Sequence, residues 1–392
     1  MKKTWKLGEL FCGPGGFAEG ARQAGFQNIW AVDNDADSCI SFGNNQEGTV
    51  YTMEIKEFTR KEHLEKLKKI DGLLFGFPCN DFSLVGKNRG LEGELGPLYR
   101  YACKTLDYLQ PKFFVAENVT SIGSTGEKSS NYKNFKTIVT DLASCTKYGY
   151  HIFFDNYKFE EYGVPQTRHR VILVGFRNDF FNKNKISYER PKKTHTKPGV
   201  ARLDKKKPFV TCKEALKKLP KPAEDQEIMQ AKTRHDERVV RRLKKTKPGE
   251  NVWDLGDDED GLPNVRSARM SHIYKRLDSS KPAYTVTGSG GGGTHVYHFK
   301  EDRALTNRER ARLQTFDDKY EFYGGKESVR RQIGMAVPVL GARKIMLAVK
   351  KALKKNSEFI SFHHDGMIKA KSKEIYFAGK ESEDGQLKLN FE

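Results

Sequence analysis

Six short apolar runs punctuate the first 176 residues, around Lys6–Phe11, Ile29–Asp33, Gly72–Phe77, Phe113–Ala116, Ile152–Tyr157 and Val171–Phe176. The stretches between them are compatible with helices. Strands that alternate with helices cannot pair as simple hairpins, so their sheet must be mostly parallel, with helices covering its faces. The pattern predicts an α/β fold built on a doubly wound, mostly parallel sheet. Ligands bind such sheets outside the carboxyl ends of the strands. The residues that follow each run are therefore the first place to look for chemistry.

Two of those ends carry unusual sequence. The run Leu73-Leu74-Phe75-Gly76-Phe77 leads directly into Pro78-Cys79. Proline fixes its own φ and restrains the residue before it, so the position of the thiol is preset. From this segment alone, a buried cysteine packed as a small hydrophobe reads equally well. The first run leads into Phe11-Cys12-Gly13-Pro14-Gly15-Gly16-Phe17. Glycines between a strand and a helix let the backbone approach a ligand closely, and Gly13, Gly15 and Ala18 satisfy the loose pattern G-x-G-x-x-A. Asp33 and Asp35 follow at the end of the next run, where a carboxylate accepts hydrogen bonds from ribose hydroxyls. These features point to an adenosine-containing cofactor and fit NAD and S-adenosylmethionine alike.

Beyond residue 176 the character changes to Lys, Pro and polar residues with weak periodicity. The chain carries a formal net charge of +19. Residues 181–250 hold 22 Lys and Arg against 9 Asp and Glu, a net +13, so most of the excess sits in one stretch. Charge concentrated in this way favours a polyanionic partner, with nucleic acid foremost. The six cysteines are scattered, with no C-x-x-C pair and no short Cys/His cluster, which argues against a zinc site and against a disulfide framework. That usage suits a reducing cytoplasm. The sequence begins without an apolar leader and contains no run of about 18 apolar residues, so no membrane span is expected. Gly288–Gly293 is nearly all glycine and reads as a hinge or a close backbone approach. Thr306 with Glu309 has the spacing of a capping box. The tail 356–392 has alternating stretches at Glu358–His363, Glu374–Ala378 and Gln386–Phe391 that suit β-structure.

With the glycine loop and Pro78-Cys79 in hand, the chain resembles the DNA cytosine-5 methyltransferases of bacterial restriction-modification systems. The resemblance runs through six blocks in the family's order. They are Phe11–Phe17 and Gly76-Phe77-Pro78-Cys79; Glu117-Asn118-Val119 and Gln166-Thr167-Arg168-His169-Arg170; Leu305–Phe316 and Gln332–Pro338. Two positions depart from the family pattern: Asn80 stands where Gln is usual, and Met335 where Asn is usual. The first shortens an amide and the second removes a polar group near the cofactor pocket.

The resemblance implies a Rossmann-like methyltransferase domain at 1–176 and 325–355, a target-recognition domain with a hinge at 177–324, and a C-terminal extension at 356–392. It implies S-adenosylmethionine as cofactor, held by Phe11, Gly13, Gly15, Gly16, Asp33, Asn34, Glu54 and Pro78, and no metal. Phe11 reads as a ring on the adenine or as a core aromatic. Cys79, Glu117, Arg168 and Arg170 are the expected catalytic set. A thiolate adding to C6 of cytosine makes C5 electron-rich. Glu117 serves as acid or donor at N3, with the arginines holding O2 or a phosphate and orienting Glu117. The base that removes the C5 proton is not identified. Attack from above and below the ring demands that the base leave the stack. Asn118, Gln166, Arg234, Arg238 and Arg241 are the expected substrate contacts, and neighbouring Arg242 belongs to the same basic stretch. Double-stranded DNA is the expected partner, bound by a monomer in the cytoplasm, with a restriction endonuclease that reads the same sequence as a further partner. Methylation of cytosine in tRNA, a DNA-binding module without catalysis, and a nicotinamide oxidoreductase are the rival readings. The last leaves Pro78-Cys79 and Glu117-Asn118-Val119 unexplained.

Overall fold

The computed structural model describes residues 4–77, 98–120, 130–219, 228–255, 273–288, 290, 292–354, 367–370 and 373–376. The chain divides into two compact units. Met1–Tyr157, His169–Pro191 and Ala342–Glu392 form one, and Lys158–Arg168 with Lys192–Gly341 form the other. Residues 325–341, which the sequence groups with the cofactor domain, belong here to the second unit.

The first unit is built on a seven-stranded sheet. Its strands are β1 (Trp5–Leu10), β2 (Phe26–Asp33), β3 (Thr49–Thr52), β4 (Gly72–Phe75), β5 (Phe113–Val119), β6 (Tyr150–Lys158) and, after the two-residue strand β7 (Gln166–Thr167) of the second unit, β8 (His169–Arg177). The sheet order is β3-β2-β1-β4-β5-β8-β6. Four adjacent pairs, β1–β2, β2–β3, β1–β4 and β4–β5, are parallel, whereas β5 and β8 run antiparallel. The chain winds outward from β1 to β3 and then returns to lay β4 on the other side of β1. That reversal is a topological switch point, where open α/β sheets bind ligands. Because Leu10 is in register with Phe75, the glycine loop after β1 and the Gly76-Phe77 segment after β4 leave the sheet side by side.

Strand periodicity sets the core. Residues two apart (Leu73 and Phe75, Phe114 and Ala116, Ile152 and Phe154, Val171 and Leu173) bury on one face. Helix Ser130–Ser144 covers that face with Phe135, Ile138, Val139 and Leu142, spaced i, i+3, i+4, i+7. Helix Tyr99–Leu109 adds Tyr99, Ala102 and Leu106. Elsewhere Trp5, Phe26 and Phe176 gather around Phe113. All six expected strands are present. The edge strand β3 was not among them, because Thr-Val-Tyr-Thr is only four residues long and none of them is buried.

The second unit has little regular structure, as its weak periodicity foretells. Two-residue parallel pairs join β7 to Ala283–Tyr284 and His195–Thr196 to Lys207–Pro208. Helices Glu237–Lys245, Asn307–Leu313 and Lys326–Met335 pack around small apolar clusters, one of them formed by Cys212, Leu277, Val286, Val296, Leu305 and Leu313. Thr306 caps its helix in the expected capping box with Glu309. The glycine segment is a close-approach element: a Cβ on Gly290 would lie 2.4 Å from Arg330 Cζ, and one on Gly293 2.8 Å from the Tyr274 ring.

In the tail, Met367–Ala370, which no expected stretch covers, pairs antiparallel with Lys373–Tyr376, which overlaps the expected stretch Glu374–Ala378; the other two expected stretches lie outside the described residues. The helical stretch Lys326–Leu353 is long and apolar enough to cross a membrane, but 72% of its most apolar window is buried within the protein, as in a core helix.

Candidate active site

The glycine loop is held by its backbone. Phe11 has φ 55°, Gly13 φ 52° and Gly15 φ 90°. The last two sit at no steric cost, whereas Phe11 occupies a region that L side chains rarely adopt. Strain of this kind persists only where the surroundings over-determine it. Here Cys12 N donates to Val32 O, and Gly13 N donates to Asp33 Oδ2 at 2.8 Å. Gly15 then caps helix α1 (Gly16–Gln23), whose first-turn amides receive no side-chain cap. A Cβ on Gly13 would meet nothing within 4 Å, so the loop presents an open cradle to a ligand.

Asp33 closes the other side. Besides Gly13 N, its carboxylate accepts from Asp35 N at 3.0 Å. Burial pushes the Asp33 carboxyl above its ordinary range, against the pull of these amides. Asn34 and Glu54 are exposed, and Asn34 Nδ2 donates to Glu54 Oε1 at 2.9 Å, which leaves acceptor capacity on that carboxylate. The sequence reading missed Glu9, a carboxyl on β1 that is 3% exposed and held well above its usual range by burial and by Asp33. Its signal was a charged residue inside an apolar run. The Cys12 thiol is also pushed well up, chiefly by burial and by its hydrogen bond with the free thiol of Cys39, and packs with Ala18, Ala31 and Phe42. It is a core thiol, not a nucleophile.

The second group lies at the ends of β4, β5 and β8. Glu117 on β5 faces Arg170 on β8, with Nε 2.8 Å from Oε1; the side chains are 14% and 15% exposed. A Cβ on Gly76 would lie 3.5 Å from Glu117 Oε2, which places the chain leading to Pro78 beside the carboxylate. Asn118 is buried. Its Nδ2 donates to Phe77 O at 3.4 Å, and its Oδ1 accepts from Val119 N at 2.8 Å. It thus ties the end of β5 to the residue before Pro78 and is a positioning residue. Pro78, Cys79 and Asn80 themselves lie outside the described residues.

The Gln166–Arg170 block divides its work. Gln166 is fully buried, donating to Leu313 O and Gln314 Oε1 and accepting from Val286 N at 2.8 Å. All its capacity toward these partners is spent inside the second unit, so it braces that unit where the sequence suggests a substrate contact. Arg168 is 3% exposed and its Nη1 donates to Val286 O and Gly334 O. It clamps backbone, and Arg170 is the arginine paired with Glu117. In the basic region Arg234, Arg238 and Arg241 are exposed, as a phosphate-facing surface requires. Arg242 is not: it is buried, stacked on the Tyr274 ring and donating to its hydroxyl. Helix Glu237–Lys245 shows an exposed Arg238-Arg241-Lys245 face, beside a cavity of about 420 Å³ lined by Arg238, Val239 and Tyr274 among others. Met335, the departure from the family pattern, is 65% exposed.

A family model for the C-5 cytosine-specific DNA methylases matches residues 5–351. The chain belongs to that family. It is 46% identical over 362 residues to the type II methyltransferase M.BbvI of Brevibacillus brevis, covering 88% of this chain and 91% of that one. It is 36% identical to the type II methyltransferase M.NgoFVII of Neisseria gonorrhoeae, over 91% and 90% of the two chains. Among solved structures, a DNA modification methyltransferase encoded within an E. coli prophage aligns with a TM-score of 0.62 at 22% identity, over 89% of this chain and 99% of that one. The Dnmt2 methyltransferase of Spodoptera frugiperda aligns with a TM-score of 0.56 at 17% identity, over 89% and 99%. At those identities the structures attest the fold: a mostly parallel, doubly wound sheet of the Rossmann-like type. The reaction of this C5 methylase family is methyl transfer to C5 of cytosine in DNA.

Proposed function

We propose that the enzyme methylates one cytosine within a specific duplex DNA sequence, as the modification partner of a restriction endonuclease with the same target, in the cytoplasm and as a monomer on DNA. The observation that carries the reading is the switch point. There the open glycine cradle and Asp33 at β1–β2 share the carboxyl end of the sheet with the Glu117–Arg170 pair at β5–β8, and Gly76-Phe77, which precede Pro78-Cys79 in the sequence, leave β4 between them.

The cradle suits S-adenosylmethionine. Phe11, Gly13, Gly15 and Gly16 admit its bulk and its carboxylate end against the α1 amides. Asp33, Asn34 and Glu54 offer acceptors to ribose and adenine, and Pro78 is the further contact that the family resemblance implies. When bound, this cofactor supplies an activated, electrophilic methyl group.

The protein's own part is to make C5 nucleophilic. Cys79 adds through its thiolate to C6, and the electron pair of the C5–C6 bond shifts toward C5, N3 and O2. Glu117 holds a proton at N3 as that charge develops, and Arg170 fixes the carboxyl and offers N–H groups to O2. After transfer the C5 proton leaves and the electrons return to expel the thiolate. Asn118 and Arg168 act as positioning residues. Exposed Arg234, Arg238 and Arg241 neutralise phosphates, while residues of 177–324 read base edges in a groove. Because C5 and C6 are attacked perpendicular to the ring, the base must be flipped.

Incubation with labelled methyl donor and random-sequence duplex DNA, followed by mapping of the modified cytosines, tests this reading. Modified cytosines in one short sequence context are the expected result. Label in tRNA with none in duplex DNA overturns it.

A further inference from the structure

Most buried arginines of the second unit have visible partners. Arg276 donates to Leu243 O, His298 O and Asp302, and Arg303 grips Glu309 with both terminal nitrogens. Arg310, on helix Asn307–Leu313, is more deeply buried than either, at 1% exposed, and none of its three guanidinium nitrogens has a hydrogen-bond partner. Two neighbours share the deficit. Arg330, on helix Lys326–Met335, spends one terminal nitrogen on Gly290 O and on Glu327, yet its Nε is buried and unpartnered. His295, just after the glycine segment, has a buried and unpartnered Nδ1. Lys326 and His235 add to the same cluster.

An unpaired guanidinium in a protein interior costs several kcal/mol unless an anion and hydrogen bonds compensate it. The carboxylates nearest Arg310 are committed elsewhere, Glu309 to Arg303 and Glu327 to Arg330. The environment registers the strain: burial and the charge of Arg330 pull Arg310 down to about 10, and burial with Arg310 and Arg330 pulls His295 down to about 3. His295 is therefore neutral near pH 7 and can donate one N–H without adding charge.

We propose that Arg310, Arg330 and His295 form a buried oxyanion site in the second unit that takes a phosphate group. A tetrahedral oxyanion matches what is unpartnered there: a planar fork of donors from Arg310, the Nε of Arg330 and one imidazole N–H. The group can be free inorganic phosphate or a backbone phosphate of bound DNA, since both present the same oxygens. Neither Arg310 nor His295 belongs to the methyl-transfer machinery, and the inference does not depend on that machinery.

The test is thermal unfolding and calorimetric titration of the full chain with sodium phosphate, matched in ionic strength with sodium chloride. The wild-type protein should bind phosphate saturably, and its transition should rise with phosphate as linkage requires. Arg310→Met should be at least as stable as wild type without phosphate, and should bind phosphate about tenfold or more weakly, the loss of a charge-assisted hydrogen bond. His295→Asn serves as a second, milder variant, with a smaller weakening in the same direction. A short DNA duplex added with phosphate separates the two sources: mutual exclusion assigns the site to a DNA phosphate, and independent binding assigns it to the free ion. No saturable phosphate effect in wild type, or an undiminished one in Arg310→Met, overturns the proposal.

Discussion

Replacing Asp33 by Ala removes the acceptor for two amides, Gly13 N at 2.8 Å and Asp35 N at 3.0 Å. Hydrogen bonds to a charged group contribute about 1.5–3 kcal/mol each, so the gross loss is roughly 3–6 kcal/mol. Part of this is offset, because burial already disfavours the ionised carboxylate, as its raised pKa shows. A net loss of about 2–4 kcal/mol of local stability is expected. Hydrogen exchange at the Gly13 and Asp35 amides reads that loss directly, as faster exchange in a loop that the rest of the sheet leaves intact. Calorimetry with S-adenosylmethionine then separates two roles. If Asp33 also accepts from ribose hydroxyls, affinity falls by a further ~1–3 kcal/mol. Unchanged affinity assigns Asp33 to the loop alone and moves the ribose contact to Asp35 or Glu54. Amide exchange unchanged from wild type refutes the claim that this carboxylate builds the cradle.

Cys79→Ala should methylate nothing yet still bind duplex DNA; 5-fluorocytosine at the target should trap wild-type enzyme as a denaturation-resistant adduct, and a peptide map that places it on Cys12 or Cys103 would defeat the assignment. Arg170→Met should lower kcat by about 10²-fold or more, while leaving cofactor affinity near wild type, in steady-state and binding assays. Gln166→Leu leaves the Val286 amide without its buried acceptor and should cost about 1–3 kcal/mol of stability, measured by denaturant unfolding, with KM for DNA little changed. His295 stays neutral in the folded protein but protonates near pH 6.5 when unfolded, so stability is full above that pH. It should fall as pH drops from 6.5 toward 3, by up to about 1.4 kcal/mol per pH unit, and His295→Asn should flatten that limb.

The fold was legible where side-chain periodicity reports burial. Leu73, Phe75, Phe114, Ala116, Ile152 and Phe154 repeat at the spacing that a buried sheet demands, and the strands formed there. The glycine loop after β1 was legible because a left-handed backbone needs glycine, and Gly13 and Gly15 supply it. The jobs of polar residues were harder to read, because sequence gives a residue's type but not its burial. Arg168 reads as catalytic, and Gln166 and Arg242 as substrate contacts, in a basic chain, yet each donates to groups inside its own unit. Exposed Arg238 and buried Arg242 lie one helical turn apart, and Tyr274 packs against the latter. Glu9 and Arg310 were passed over for the opposite reason: a charge within a pattern that otherwise buries its residues reads as an interruption until the neighbours are placed.

Two carboxyls on neighbouring strands, Glu9 on β1 and Asp33 on β2, show how the fold sets charge near the glycine loop. Glu9 and Asp33 sit on adjacent parallel strands, and after burial the charge of Asp33 adds to the cost of ionising Glu9. Neither is paired with a cation among the described residues; Asp33 is served by amides and Glu9 by Asn28 at 3.2 Å. At the other end of the switch point Glu117 has Arg170 instead. The cradle is thus lined by a carboxylate held on amides, which suits neutral hydroxyl donors. The Glu117 side is electrostatically balanced, so that an added anionic ring would find a cation already oriented. On the proposed reading, that asymmetry suits a cationic methyl donor beside a base on which negative charge develops. Placing an arginine at the cradle, by Asn34→Arg, should therefore weaken S-adenosylmethionine more than its demethylated product, whose sulfur is uncharged. Equal loss for both ligands would show that the added side chain acts by bulk alone.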